Sequence, residues 1–197
     1  FDLSLKVELL QPKLEVTLRN RFTVDADEVS LNTRADYSIT RAGVFVVRLE
    51  LPREGRVEAV ACEQMQTWSE REENGRRLLE IALKQRTLGA LAIDVHLVRS
   101  LANLPPALEL IGVHVPGAEK LSGFVLVSAE PGVGLKTSML NGATEIAAAT
   151  APGVPPGATG VLAYKYLATT PQPAQPWALT LATETLQPWV RAEVASF

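Results

Sequence analysis

The chain has 197 residues, of which 47% are hydrophobic and 21% are charged, so it can build one large core or two small ones and does not have the composition of a disordered chain. Its formal net charge is −3, with acidic and basic residues interleaved, which excludes the basic stripe that binds nucleic acid or an anionic membrane surface. A single cysteine, Cys62, excludes an intrachain disulfide, and no apolar run reaches the roughly 18–20 residues that span a bilayer. We therefore expect no direct membrane insertion by this segment.

Apolar and polar residues alternate with a period of two along most of the chain. In 43–52, for example, Phe45, Val47, Leu49 and Leu51 share one face. This alternation predicts strands with one face in a core and the other in water. In chain order, candidate strands lie near 2–10, 13–23, 28–39, 44–52, 56–61, 64–71, 76–84, 90–99, 107–115, 121–128, 133–139, 143–148, 160–168 and 177–195, the last of which holds two. Many short strands separated by glycine and proline turns predict an all-β, antiparallel β-sandwich with essentially no helix.

Two Asn-Gly pairs mark expected turns between these strands. They are Asn74–Gly75 and Asn141–Gly142. Asn-Gly favours a type I′ hairpin turn, because both central residues of that turn need a positive φ. The two pairs therefore predict hairpins at these positions.

A change in composition suggests a boundary near 100–108. Prolines become frequent from about Leu104 onward, and proline is confined to loops and strand edges. We therefore expect two packed sandwich lobes, 1–102 and 103–197. A single extended sandwich is the alternative.

The segment 177–197 repeats features of the segment 1–21. A shift of 176 residues aligns the identical pairs Leu3 and Leu179, Leu5 and Leu181, Glu8 and Glu184, Leu10 and Leu186, Gln11 and Gln187, and Pro12 and Pro188. Chance similarity between leucine-rich strands explains the leucines but not the shared Glu-x-Leu-Gln-Pro string. The echo predicts a tandem repeat in a longer parent protein, with a unit far longer than the ~20–50 residues of solenoid repeats.

Two strand motifs resemble segments of very large, uncharacterised bacterial surface or membrane-associated proteins built from serial β-sandwich domains. The matching residues are Tyr37, Ile39, Arg41, Gly43, Phe45, Leu51 and Pro52, followed by Tyr164, Tyr166, Leu179, Leu181 and Pro188. The resemblance implies a modular protein in the periplasm or at the cell surface, whose partners are neighbouring domains of the same chain. It implies no reaction.

Candidate metal ligands are few and scattered. His96 lies two residues after Asp94, so both face the same side of a predicted strand, whereas His114 lies elsewhere. Asp25, Asp27 and Glu28 lack the further ligands and the central glycine of a calcium loop of the EF-hand type. We therefore predict no metal site and interpret these residues as surface or hydrogen-bonded positions.

No catalytic constellation is present in the sequence either. The segment 130–138 resembles a phosphate loop only superficially, because Leu135 separates Gly134 from Lys136 and strand residues follow. Cys62 has no CxxC partner, so a small buried apolar role is expected for it. We predict no catalytic residues and no cofactors.

Aromatic residues supply the remaining weak candidates for ligand binding. They are Trp68, Trp177 and Trp189, since exposed aromatics stack on sugars or peptides. Tyr164 and Tyr166 share a face with Leu162, which favours burial in the core instead.

These observations together favour a non-catalytic structural or interaction module of a larger extracytoplasmic bacterial protein. The alternative is a module that binds carbohydrate or peptide through exposed Trp or Tyr, with a protein or glycan as partner and no nucleic acid. An enzyme is the least favoured hypothesis.

Overall fold

The computed structural model describes residues 10–169 and 175–186. Its strands are β1 (Lys13–Val24), β2 (Glu28–Leu51), β3 (Arg56–Ala61), β4 (Met65–Glu73), β5 (Arg76–Ser100), β6 (Ala107–Leu110), β7 (Lys120–Ala129), β8 (Val133–Asn141), β9 (Thr144–Ile146), β10 (Leu162–Ala168) and β11 (Ala178–Thr185). The described residues contain no α-helix and one 3-10 turn, Ala148–Thr150. The predicted all-β class is therefore confirmed.

The strands form one large sheet and one small sheet. The large sheet has the order β3-β5-β2-β1-β7-β10-β9. β3 pairs with the last part of β5, at 94–98, and β4 pairs with its first part, at 76–83. The small sheet has the order β6-β11-β8. Leucines of the small sheet, such as Leu108 and Leu181, belong to the same buried cluster as Leu18 and Ile93 of the large sheet. The small sheet therefore packs on the inner face of the large one.

Two strands are far longer than the sequence predicts. The predicted strands 28–39 and 44–52 are one strand, β2, and 76–84 and 90–99 are one strand, β5. Each long strand bends where the two predicted strands meet, but it does not end there. Arg41 and Gly89 adopt positive φ at this point, and the β2–β5 register shifts between Ile39 and Val46. We call this bend, 40–46 with 84–89, the corner.

The prediction of purely antiparallel strands is wrong at one pairing. β1 runs parallel to β7, with Val16 opposite Leu121 and Val24 opposite Ala129. A parallel neighbour needs a long crossover connection, which the strands from β2 to β6 provide here. This pairing joins strands from both sides of the proposed boundary near 100–108 in one sheet. The division into lobes 1–102 and 103–197 stays a prediction.

No helix within the described ranges is long and apolar enough to cross a membrane.

Candidate functional site

Trp177, one of the three candidate ligand-binding residues, lies in the core between the two sheets. Its side chain is 4% exposed, and its ring meets Phe22 of β1 edge to face, with ring centroids 6.5 Å apart. The ring centroid of Tyr166 on β10 lies 6.2 Å away. A buried indole cannot stack on a ligand at the surface, so Trp177 acts here as a packing contact between the sheets.

Two glycines make room for these aromatic rings. A Cβ atom on Gly112 would lie 2.7 Å from Cζ2 of Trp177, and one on Gly123 would lie 2.6 Å from the hydroxyl oxygen of Tyr166. Burial raises the pKa of Tyr166, although the neighbouring Trp177 opposes the shift. The phenol of Tyr166 is therefore neutral at physiological pH.

The other two tryptophan candidates differ in position. Trp68 lies on β4 and is 37% exposed, so its role as a ligand-binding residue stays a prediction. Trp189 lies outside the described residues. In the echo of 1–21 at 177–197, Leu10 with Leu186 is the one aligned pair in which the structure describes both members.

The two histidines lie in different environments. His96 is on the outer face of β5, opposite Asn32 of β2. His114 is buried, and its backbone exchanges two hydrogen bonds with Glu50, at 2.8 and 2.9 Å. Across 10–169 and 175–186 the structure brings together no group of three His, Cys, Asp or Glu side chains that could hold a metal ion.

A polar pair is buried where the core would otherwise be apolar. Oδ1 of Asn20 accepts hydrogen bonds from Oγ1 of Thr33, at 2.8 Å, and from the backbone N–H of Val113, at 3.2 Å. Asn20 and Thr33 are almost completely buried. The asparagine thus connects β1 to β2 and to the segment that follows β6. The sequence contained the signal, because Asn20 occupies an inward position between Leu18 and Phe22.

An apolar cavity of about 370 Å³ opens between the two sheets. Phe22, Leu31, Leu97 and Leu110 line it, and an ion pair between Arg99 and Glu54, at 3.1 Å, lies at its rim. Alternation predicted the burial of these side chains. It could not predict the cavity, which depends on how the small sheet is placed.

The strand β6 forms one wall of this cavity. Among the described residues β6 pairs only with β11. Pro106 accepts a hydrogen bond from the Thr183 N–H, so alternation along the ladder turns the backbone groups of Ala107 and Glu109 away from β11. The cavity therefore combines apolar side chains with an open backbone edge.

The fold resembles that of several solved metallopeptidase and hydrolase structures. The chain matches an M1 zinc metallopeptidase from Deinococcus radiodurans with a TM-score of 0.50 and 15% identity, over 88% of this chain and 43% of that chain. A two-domain M1 zinc metallopeptidase variant bound to L-tryptophan gives a TM-score of 0.51 at 14% identity, over 88% and 44%. Leukotriene A4 hydrolase from Saccharomyces cerevisiae gives 0.55 at 10% identity, over 87% and 29%. No protein-family model and no curated protein sequence matches the chain.

These findings overturn the functional interpretation of the sequence. The predicted structural or interaction module, with carbohydrate or peptide binding as the alternative, is wrong, because the structural neighbours are M1 zinc metallopeptidases and a leukotriene A4 hydrolase. Strand alternation cannot distinguish a spacer from a domain of an enzyme, since both bury one face of each strand in the same way. The extracytoplasmic location, the absence of enzyme activity in this chain and the resemblance to serial surface proteins stay predictions.

Proposed function

We propose that this chain is the β-domain of a peptidase-related protein, in which it packs against a companion domain that carries the chemistry. The observation that supports this function is the similarity in fold to M1 zinc metallopeptidases over 88% of the chain. The chain spans less than half of the length of those proteins, so most of each neighbour lies outside the matched part.

Zinc, which the names of the neighbours include, does not fit the described residues of this chain. Structural and catalytic zinc sites need three or four nitrogen, sulfur or oxygen ligands converging on one point. His96 lies on the outer face of the large sheet and His114 lies in the core, and no third ligand joins either of them in the part of the chain that the structure describes. We therefore derive no step through a metal from these residues.

The corner is the surface that best fits contact with a companion domain. Phe45 and Leu88, which are 60% and 62% exposed, lie there on the two long strands. The corner has a defined shape, because a Cβ on Gly43 would lie 2.9 Å from the backbone oxygen of Thr87. Large apolar side chains held in the open at one place are typical of an interface with another domain. More than half of each neighbouring chain is available to supply that domain.

A peptidase assay on the complete protein that contains this chain tests the proposal. The protein is incubated with a panel of short peptides, and new amino groups are measured with and without a metal chelator. We expect hydrolysis that the chelator abolishes. A folded protein that cleaves no member of the panel would refute the peptidase assignment.

A second measurement addresses the corner separately. The double variant Phe45→Ser with Leu88→Ser is compared with Leu167→Ser, a leucine of β10 that is 61% exposed and lies far from the corner in the strand order. We expect the corner variant to separate the thermal unfolding of the two domains and to increase proteolysis between them. If both variants unfold like the unmodified protein, the corner is not the interface, whatever the peptidase assay gives.

A further inference from the structure

A second cavity, of about 280 Å³, lies on the outer face of the large sheet, which points away from the small sheet. Three polar side chains stand side by side on its floor, one from each of three adjacent strands. Arg21 of β1 is directly opposite Asn32 of β2, and Asn32 is directly opposite His96 of β5. Directly opposed residues have Cβ atoms about 4.5–5.5 Å apart, so the three side chains can reach one small ligand.

Arg21 differs from the other arginines beside this cavity. Arg19 pairs with Asp36, and Arg34 pairs with Asp36 and Asp94 at 3.1 and 3.0 Å. Arg21 instead donates one hydrogen bond, of 2.5 Å, to the carbonyl oxygen of Gly153. Within 10–169 and 175–186 it forms no ion pair with a carboxylate.

The cavity is positively charged although the whole chain has a net charge of −3. Three arginines and one aspartate, Asp94, are among the residues that line it, and Asp94 is already paired with Arg34. The guanidinium of Arg21 is therefore the cationic group without a carboxylate partner. A guanidinium offers pairs of parallel N–H donors, which match the two oxygens of a carboxylate.

The remaining walls favour a ligand with a small apolar part. Ala59 and Ala61 of β3 line the cavity and are exposed. Gly153, at φ 82°, also lines the cavity, and a Cβ there would lie 3.0 Å from Nη2 of Arg21. The glycine thus allows the backbone to approach the guanidinium and to fix its position.

We propose that this cavity binds a small carboxylate, with Arg21 as the ion-pair partner and Asn32 and His96 as polar neighbours. The apolar part of the ligand lies against Ala59, which is exposed and directly opposite His96. This site is independent of the peptidase assignment, which gives the outer face no role.

The proposal is tested by titrating the isotope-labelled chain with N-acetylalanine, followed by NMR. Inorganic phosphate and chloride are titrated in parallel at constant ionic strength. We expect saturable shifts of the Arg21 side-chain N–H, the Asn32 side-chain amide and the Gly153 backbone amide with N-acetylalanine, at millimolar concentrations. Saturable binding of phosphate without binding of N-acetylalanine would overturn the carboxylate assignment. Shifts that chloride reproduces equally would overturn the site altogether.

Two arginine variants form a matched pair for this titration. Arg21→Gln removes the proposed ion-pair partner, and Arg86→Gln removes a similar exposed arginine, whose Nε donates to the carbonyl oxygen of Gly43 at the corner. We expect Arg21→Gln to weaken binding of N-acetylalanine at least about tenfold, the usual effect of losing a charged hydrogen bond. Arg86→Gln should leave the affinity unchanged. Equal affinities in the two variants would refute the site.

A further variant keeps the test decisive if Arg21→Gln does not fold. Asn32→Ala removes the neighbouring amide from an exposed position and leaves Arg21 in place. Asn32→Ala should weaken binding of N-acetylalanine severalfold and remove the Asn32 side-chain amide signal from the NMR spectrum. An unchanged affinity in Asn32→Ala would exclude the row of three side chains as the binding site.

Discussion

Replacement of Trp177 by alanine is expected to be among the most destabilising single changes in this chain. A buried tryptophan removes about 200 Å² of apolar surface from water, which corresponds to about 5 kcal/mol at about 25 cal/mol per Å². Because unfolded chains already bury part of that surface, the gain falls by about 10–40%. The edge-to-face contact with Phe22 adds about 0.5–1.5 kcal/mol to the stabilisation from burial. These terms give about 3.5–6 kcal/mol. Because alanine still buries part of this surface, we expect Trp177→Ala to lower the free energy of unfolding by about 3–5 kcal/mol, the usual range for such changes in cores.

Trp68→Ala is the matched control for this prediction. Trp68 is 37% exposed against 4% for Trp177, so it buries roughly two-thirds as much surface. Its loss from the edge strand β4 leaves a space that water fills, so only this burial term is lost, and we expect a cost of about 2–3 kcal/mol. Urea unfolding is followed by far-ultraviolet circular dichroism, because each variant removes a fluorophore. A Trp177→Ala variant that is no less stable than Trp68→Ala would refute the assignment of Trp177 to the core.

Two further predictions concern polar groups. Asn20→Ala leaves the buried N–H of Val113 without its acceptor and should lower the free energy of unfolding by about 2–3 kcal/mol in urea titrations, and a loss below about 0.5 kcal/mol would contradict this account. The hydrogen bond from Arg48, together with Arg71, lowers the pKa of Glu80 in the folded state, so the resulting stability is present above the unfolded pKa of about 4.3 and is lost as the pH falls through the folded pKa. Because both arginines are half exposed, Glu80→Gln should cost only about 0.5–1 kcal/mol at about pH 7 and nothing at about pH 2, and a cost that is the same at both pH values would contradict it.

The burial of strand faces could be predicted from the sequence wherever the ladder is regular. Leu79, Ile81 and Leu83 are buried as alternation predicts, and Glu80 between them faces the arginines. Alternation predicts that Phe45 lies on the buried face with Val47, but Phe45 is 60% exposed. The register of β2 against β5 shifts between Val44 and Val46, so the alternation is interrupted there. A bulge of this kind depends on the partner strand and not on the local pattern.

The two Asn-Gly pairs show how the same local preference gives different structures. Asn74 and Gly75 have φ values of 52° and 73° and join β4 to β5 in the predicted hairpin. Gly142 also has a positive φ, 69°, but the strands on either side of it, β8 and β9, belong to different sheets. A Cβ on Gly142 would lie 2.0 Å from the backbone oxygen of Pro176, so the glycine is needed for a close contact with the start of β11. Dipeptide chemistry predicted the backbone angle, and tertiary packing decided what the angle is used for.

The outer-face cavity marks the limit of what pairing rules can derive from the sequence. The turn after Val24 closes a hairpin, so that once Val24 faces Val29, counting along both strands places Arg21 opposite Asn32. His96 cannot be placed in this way, because β3 and β4 intervene between β2 and β5 and the corner shifts the register for a few residues. Beyond the corner the original register returns, with Val47 opposite Ile81, so a local bulge leaves the pairing of Asn32 with His96 intact. The row of three polar side chains therefore depends on a long-range pairing whose register is the same on both sides of the corner. A substitution that extended the register shift beyond the corner would separate His96 from Arg21 without changing either residue.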